Sequence, residues 1–90
     1  MSREGVIRLA ELTAQQWAEL EMALANGFVA VENINRRHSA YGLKQKFSRE
    51  HFYVTQEQFT RAMQNIGFHV EPFGNGNAHF NIGERSPYFE

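Results

Sequence analysis

The residues best suited to chemistry are four histidines and one serine. His38, His51, His69 and His79 include no pair four residues apart, so the spacing of two metal ligands on one helix is absent. Ser39 lacks the glycine elbow of a nucleophilic serine and is better interpreted as a helix cap. The sequence contains no Cys, which excludes thiol chemistry and disulfides. We therefore expect a protein that is not an enzyme and that has no metal site and no cofactor.

Positive charge is concentrated in the stretch RRHSAYGLKQKFSREH, from Arg36 to His51. It holds five of the nine Lys and Arg residues and carries a net charge of +4 in a chain of net charge −1. Such a cluster favours contact with phosphates or with an acidic partner, although a charged helix face is often only solvated. The candidate binding residues of this stretch are Arg36, Arg37, Tyr41, Lys44, Lys46 and Arg49.

Two stretches, LTAQQW and VTQEQF, share the pattern of a capping box. Thr13 and Thr55 are placed to accept from the amide three residues on, while Gln16 and Gln58 reach back to the amide of the cap. These boxes predict one helix from about residue 14 to residue 25 and another from residue 56 to about residue 66.

Another helix is predicted from Ser39 to about Arg49, with Ala40, Leu43 and Phe47 as its apolar stripe. Gly42 lies at the flank of this stripe. Glycine in a helix costs about 1 kcal/mol relative to alanine, so we expect it to allow the close approach of a neighbouring helix. The alternative is that Gly42 tolerates a bend in the first turn.

The strand signals are FVAVE, over residues 28–32, and two alternating runs around FGNGN. Burial of one face fixes hairpin register, so we expect a loop at residues 74–76 that sets Val70 opposite Phe80 and Glu71 opposite His79. The same register places Asn81 on the solvent face.

The order of these elements predicts a small α+β domain of winged-helix-like architecture, with three helices and a C-terminal β-hairpin. FVAVE either joins the hairpin as a third short strand or, in a three-helix bundle with a two-stranded flap, is an irregular connection. We expect residues 1–90 to form one domain, with residues 1–10 and 84–90 as loosely held ends. Ile7 and Leu9 could still add an edge strand, and Tyr88 and Phe89 could dock on the core. No leader or membrane-length apolar run is present, so we expect a cytoplasmic protein of the bacterial host cell.

The sequence resembles short bacteriophage and prophage proteins along residues 35–82. The residues that carry the resemblance are SAYGLKQKF, FYVTQEQFTRAMQNIGF and GNGNAHFNI. The resemblance implies a phage or mobile-element origin and a small interaction module, and it assigns no role to individual residues.

Nucleic-acid binding is the first functional hypothesis. In a winged helix the helix over residues 56–66 would enter the major groove, with its outward residues toward the bases; these are Gln56, Glu57, Thr60, Arg61 and Gln64. Glutamine and arginine suit adenine and guanine edges, whereas Glu57 and a hairpin tip without Lys or Arg oppose DNA binding. Lys44 and Arg49 are expected on the solvent side of their helix as phosphate contacts, with a steep salt dependence.

A phage-encoded inhibitor of a host protein complex, as anti-CRISPR proteins are, is the alternative hypothesis. Its anchors would be exposed aromatic residues, a type that protein interfaces favour; candidates are Tyr41, Phe52, Tyr53, Phe73 and Tyr88. A homodimer through the first helix, with Trp17 partly exposed before assembly, is compatible with DNA binding.

Overall fold

The helices begin where the capping boxes predict. A computed structural model describes residues 11–90, so the N-terminal end over residues 1–10 lies outside the described part. The helical elements are α1 (Ala14–Gly27), α2 (Ala40–Glu50), α3 (Gln56–Asn65) and a short 3₁₀ turn (Pro87–Phe89). Thr13 and Thr55 accept from the amides of Gln16 and Gln58, and those glutamines accept in return from the cap amides. Both predicted capping boxes are confirmed.

Three antiparallel strands form one sheet that packs against α2 and α3. The strands are β1 (Ala30–Asn35), β2 (Val70–Phe73) and β3 (Asn77–Ile82), in the order β1-β3-β2. The hairpin has the predicted register, with Val70 opposite Phe80 and Glu71 opposite His79. FVAVE leads into a strand that begins two residues later than expected. The described fold is thus α+β, with three helices and a sheet of three strands rather than a hairpin alone.

The core lies between the helices and the sheet. Phe28 turns inward just before β1 and meets Phe59 of α3 edge to face, with ring centroids 6.4 Å apart. The other large, fully buried apolar side chains come from all three helices, from the loop before α3 and from β3; they are Leu20, Leu24, Phe47, Val54, Met63, Phe80 and Ile82. Each such side chain stabilises the fold by about 1.5–3 kcal/mol, so the apolar stripes set how the elements face one another.

Asn81 on the central strand is buried, so its predicted place on the solvent face is wrong. It is only 8% exposed. Its Oδ1 accepts from the His69 amide at 2.8 Å, and its Nδ2 donates to the Val31 carbonyl at 2.9 Å. The register between β1 and β3 shifts in this region. The side-chain amide therefore pairs backbone groups that the irregular ladder would otherwise leave unsatisfied.

The structure anchors the C-terminal segment, which the sequence suggested is loosely held. The fully buried Ser86 accepts from the Val29 amide through its Oγ at 2.9 Å. Tyr88 packs against the core and donates its hydroxyl to the Leu43 carbonyl at 2.6 Å. Residues from the end of the chain thus complete the core beside α2.

Gly42 does not serve close helix packing. It is exposed in the first turn of α2, where its amide donates to the Oγ of the cap Ser39 at 3.3 Å. A Cβ atom on Gly42 would meet only that Oγ, at 3.7 Å. The predicted close approach of a neighbouring helix is wrong, because Gly42 faces away from the buried stripe of α2.

We expect Asn81→Ala to lower the free energy of unfolding by about 2–4 kcal/mol, because two partly buried backbone groups lose their partners. Urea unfolding followed by circular dichroism measures this loss. Asn33→Ala is the matched control, since Asn33 is exposed on β1 and has no described partner; its effect should stay within about 0.5 kcal/mol. Equal losses in the two variants would contradict the role given to Asn81.

Gly42→Ala should raise the free energy of unfolding by up to about 1 kcal/mol, because alanine favours the helix and the site is open. Gly27→Ala, at the end of α1, is the comparison. Its Cβ would lie 3.1 Å from Cδ1 of Tyr88, so it should bring no gain or a loss. Calorimetric unfolding of both variants is the measurement, and a loss at Gly42 would contradict the open site.

Candidate binding face

The cations of segment 36–51 do not gather into one basic helix. Arg36 lies before α2 and binds Glu71 of β2 through two hydrogen bonds, one of them 2.7 Å between Nε and Oε1. Nζ of Lys46 lies 3.5 Å from Glu50. Nε of Arg37 lies 3.9 Å from a carboxylate oxygen of Glu84. The charge that looked concentrated in the sequence is therefore partly neutralised within the fold.

Lys44 is buried, whereas the sequence suggested the solvent side of α2. Its residue surface is only 8% exposed. The reason is that Lys44 follows Ala40 by one turn, so its stem lies along the apolar stripe while the ammonium reaches outward. Nζ lies 5.5 Å from the ring centroid of Tyr41 and 4.5 Å from that of Tyr53. We call these three residues the tyrosine–lysine cluster.

The ammonium of Lys44 has no carboxylate partner among residues 11–90. Arg49 and Arg61, both exposed, likewise form no ion pair with any described residue. The rings of Tyr41 and Tyr53 attract the ammonium through their negative faces, which orients it without neutralising its charge. The cluster thus holds a cation whose charge no described carboxylate neutralises.

The hairpin tip joins the starts of two helices beside this cluster. The Tyr41 amide donates to Oδ1 of Asn77 at 3.0 Å, and Nε2 of Gln56 donates to the Asn75 carbonyl at 2.9 Å. Gly76 allows this approach, because a Cβ there would stand 2.8 Å from an oxygen of Glu57. The tip therefore lies next to both the cluster and the N-terminus of α3.

A groove of about 280 Å³ separates α3 from the hairpin. Four of the predicted outward residues of α3 line it, namely Glu57, Thr60, Arg61 and Gln64. The Thr60 hydroxyl is buried and has no hydrogen-bond partner among the described residues. We call the tyrosine–lysine cluster, the hairpin tip over residues 74–77 and this side of α3 the contact face. It brings together six of the ten predicted binding residues: Tyr41, Lys44, Gln56, Thr60, Arg61 and Gln64.

The opposite flank of α2 forms a second groove, of about 390 Å³, against the C-terminal turn. Its lining includes Arg37, Gly42, Lys46, Tyr88 and Phe89. Carboxylates neutralise both of its cations. We therefore expect an external anion to bind less tightly in this groove than at the contact face.

Three of the four histidines, His38, His51 and His79, lie beside carboxylates on different elements. Nε2 of His38 lies 3.1 Å from Glu84, and Nδ1 of His51 lies 3.5 Å from Glu19 of α1. Within residues 11–90, no three histidine or acidic side chains converge in a way that could hold a metal ion. Ser39 acts as the cap of α2, as expected.

Two aromatic residues considered as surface contacts are at least partly exposed. Trp17, expected to be partly exposed before dimerisation, is partly buried and packs against the core. Tyr53 is 60% exposed and completes the tyrosine–lysine cluster. The sequence identified Tyr53 only as a general aromatic anchor, since nothing in its spacing from Lys44 indicates that the two meet.

Two carboxylates at the sheet are stabilised in the ionised form. The hydrogen bonds from Arg36 lower the pKa of Glu71. Hydrogen bonds with Asn35 and then with His38 lower the pKa of Glu84. Both groups therefore stabilise the fold more when they are charged.

Comparison with models of known protein families, with curated proteins and with solved structures gives no match to this chain. No helix within residues 11–90 is long and apolar enough to cross a lipid bilayer.

We expect acid to weaken the fold through Glu71 and Glu84. Their folded pKa values lie below the ordinary value of 4.5, so their contribution is complete above that pH and is lost as the pH falls through the folded values. Unfolding measured between about pH 6 and pH 3 should show a smaller decline in the double variant Glu71→Gln, Glu84→Gln than in the parent protein. Glu32→Gln, which removes an exposed carboxylate without a described partner, should leave the decline unchanged. An unaltered decline in the double variant would contradict this assignment.

Proposed function

We propose that this chain is a small phage- or mobile-element-encoded DNA-binding regulator with a winged-helix-like fold. The observation that carries the proposal is the ammonium of Lys44, held between Tyr41 and Tyr53 with no described carboxylate partner. A phosphate is an anion that would complete such a cluster, since lysine is a common point-charge contact for phosphates.

The order of elements supports this proposal. Helix, strand and two helices precede a hairpin, and the early strand β1 joins that hairpin as a third strand. The hairpin tip lies beside the start of α3, as a wing would lie beside a recognition helix. Arg61 and Gln64 of α3 point into the groove between them. These two side chains are the best placed to reach base edges, because the hairpin tip already holds Gln56.

The cations without a described ion-pair partner set the strength of the interaction: two of them lie on the contact face, and Arg49 lies in the last turn of α2. Lys44, Arg49 and Arg61 are the predicted cations without a described ion-pair partner, while Glu57 repels phosphate. Three phosphate contacts give a slope of log affinity against log salt of roughly −3. We therefore expect a shallower salt dependence than the sequence suggested.

We expect saturable binding to a labelled duplex of mixed sequence, measured by fluorescence anisotropy at low salt. Between 50 and 200 mM salt, affinity should fall by roughly 40-fold, because three counterions are released. Lys44→Met keeps the buried stem and removes the charge, so it should weaken binding and reduce the slope by about 1.

Lys46→Met is the matched control, because it removes the same charge from the opposite flank of α2. For this variant, the slope of log affinity against log salt should equal that of the parent protein. Absence of saturable binding to the duplex at low salt would exclude a regulator that binds duplex DNA. Equal effects of the two variants would mean that DNA does not use the contact face.

A protein-directed inhibitor of a host complex, such as an anti-CRISPR protein, is the second candidate. The neutralisation of Arg36, Arg37 and Lys46 favours it, because it leaves little basic surface for a polyanion. A partner carboxylate would complete the tyrosine–lysine cluster as a phosphate would, and tyrosine is enriched at protein interfaces. This candidate predicts tight binding to a purified host complex, weakened by Lys44→Met, together with no affinity for DNA.

A further inference from the structure

We propose that the tyrosine–lysine cluster binds unpaired bases of a DNA strand, which stack on Tyr41 and Tyr53 while Lys44 contacts the phosphate between them. This inference rests on the proposed DNA-binding function and specifies which form of DNA the contact face prefers. It assigns a binding role to Tyr53, which lies in the loop between α2 and α3 and not on the helix that would contact the bases.

The two rings are placed as stacking surfaces. The ammonium of Lys44 lies over one face of each ring. Tyr41 is 51% exposed and Tyr53 is 60% exposed. Neither ring packs on another aromatic ring among the described residues, unlike Phe73, which stacks on His79. Each tyrosine therefore keeps a surface on which a planar group can rest.

Exposed rings of this kind favour unpaired bases over a regular duplex. In a duplex the neighbouring base pairs cover the faces of each base, so an aromatic side chain can stack only after a base has left the helix. Proteins that bind single strands combine such rings with cations that follow the backbone. The cluster has both components within one turn of α2 and the loop that follows it.

The low charge of the contact face supports the same conclusion. Backbone contacts alone supply the affinity of a strongly basic protein, but the contact face carries only two cations, Lys44 and Arg61, with the carboxylate of Glu57 near them. Stacking does not depend on net charge and tolerates any sequence, because every base has a planar face. A weakly charged face can therefore bind a strand through its rings.

The burial of Lys44 gives the cluster a defined geometry. Its stem is fixed along the core, so the ammonium cannot move far from the two rings. The ammonium has no carboxylate partner among residues 11–90. Its position between two rings matches the alternation of base and phosphate along a strand.

The test compares three labelled probes of about 12 nucleotides, a length within the site sizes of small single-strand-binding domains. They are a thymidine strand, a strand with the same number of phosphates but abasic sugars, and a duplex of the thymidine strand with its complement. Fluorescence anisotropy at low salt gives the affinity for each. We expect the thymidine strand to bind more tightly than the duplex, and the abasic strand to bind most weakly.

Variants then test the rings. Tyr53→Leu and Tyr41→Leu should each weaken binding to the thymidine strand by roughly 5- to 150-fold, the range measured for stacked bases. Tyr53→Phe keeps the ring and should change the affinity by less than about threefold. Phe73→Leu is the matched control and should leave the affinity for the thymidine strand unchanged. It removes an exposed ring that lies on His79 rather than beside Lys44.

The outcomes separate this inference from the function on which it rests. Tighter binding to the duplex, or equal binding to the thymidine and abasic strands, would overturn the inference and leave DNA binding in place. Unchanged affinity in both leucine variants would also overturn it. No binding to any probe would exclude the DNA-binding function itself. Circular dichroism confirms that each variant is folded, and the exposure of Tyr53 makes a folding failure in Tyr53→Leu unexpected.

Discussion

The buried amide of Asn81 is the interaction on which the arrangement of the sheet depends. One side chain joins the central strand β3 to Val31 in β1 and to His69, just before β2. The same strand begins with Asn77, which accepts from the Tyr41 amide and so positions the first turn of α2. A polar group buried in this way is stabilising only when its hydrogen bonds are complete. The contact face therefore takes its geometry from a network that lies behind it.

The distribution of charge changes how a partner would be recognised. Glu71, Glu84 and Glu50 hold Arg36, Arg37 and Lys46 within the molecule, so most of the basic segment exerts little field at a distance. Long-range attraction of a polyanion depends on unscreened charge of one sign. Recognition at the contact face would instead depend on short-range contacts, where the shape of the two tyrosines and the fixed ammonium matter more than net charge.

The features that the sequence predicted correctly depend on neighbouring residues. The capping boxes involve groups three residues apart, and hairpin register follows from alternation across a short loop. The contact between Lys44 and Tyr53 was missed because Tyr53 belongs to the loop after α2, nine residues further along the chain. The pairing of Arg36 with Glu71, 35 residues away, was missed for the same reason. No local pattern indicates which distant carboxylate a cation will meet.

The anchoring of the C-terminal segment has a consequence for how the protein is made. Ser86 contacts Val29 across 57 residues, and Tyr88 contacts Leu43 across 45. Contacts at such separations slow folding, because the entropy of closing the loop between them must be lost before they form. The ribosome synthesises α1 and β1 before β3 and Tyr88. Phe28, on which Tyr88 stacks, therefore stays uncovered on the nascent chain, and the domain can complete its fold only when translation has passed Tyr88.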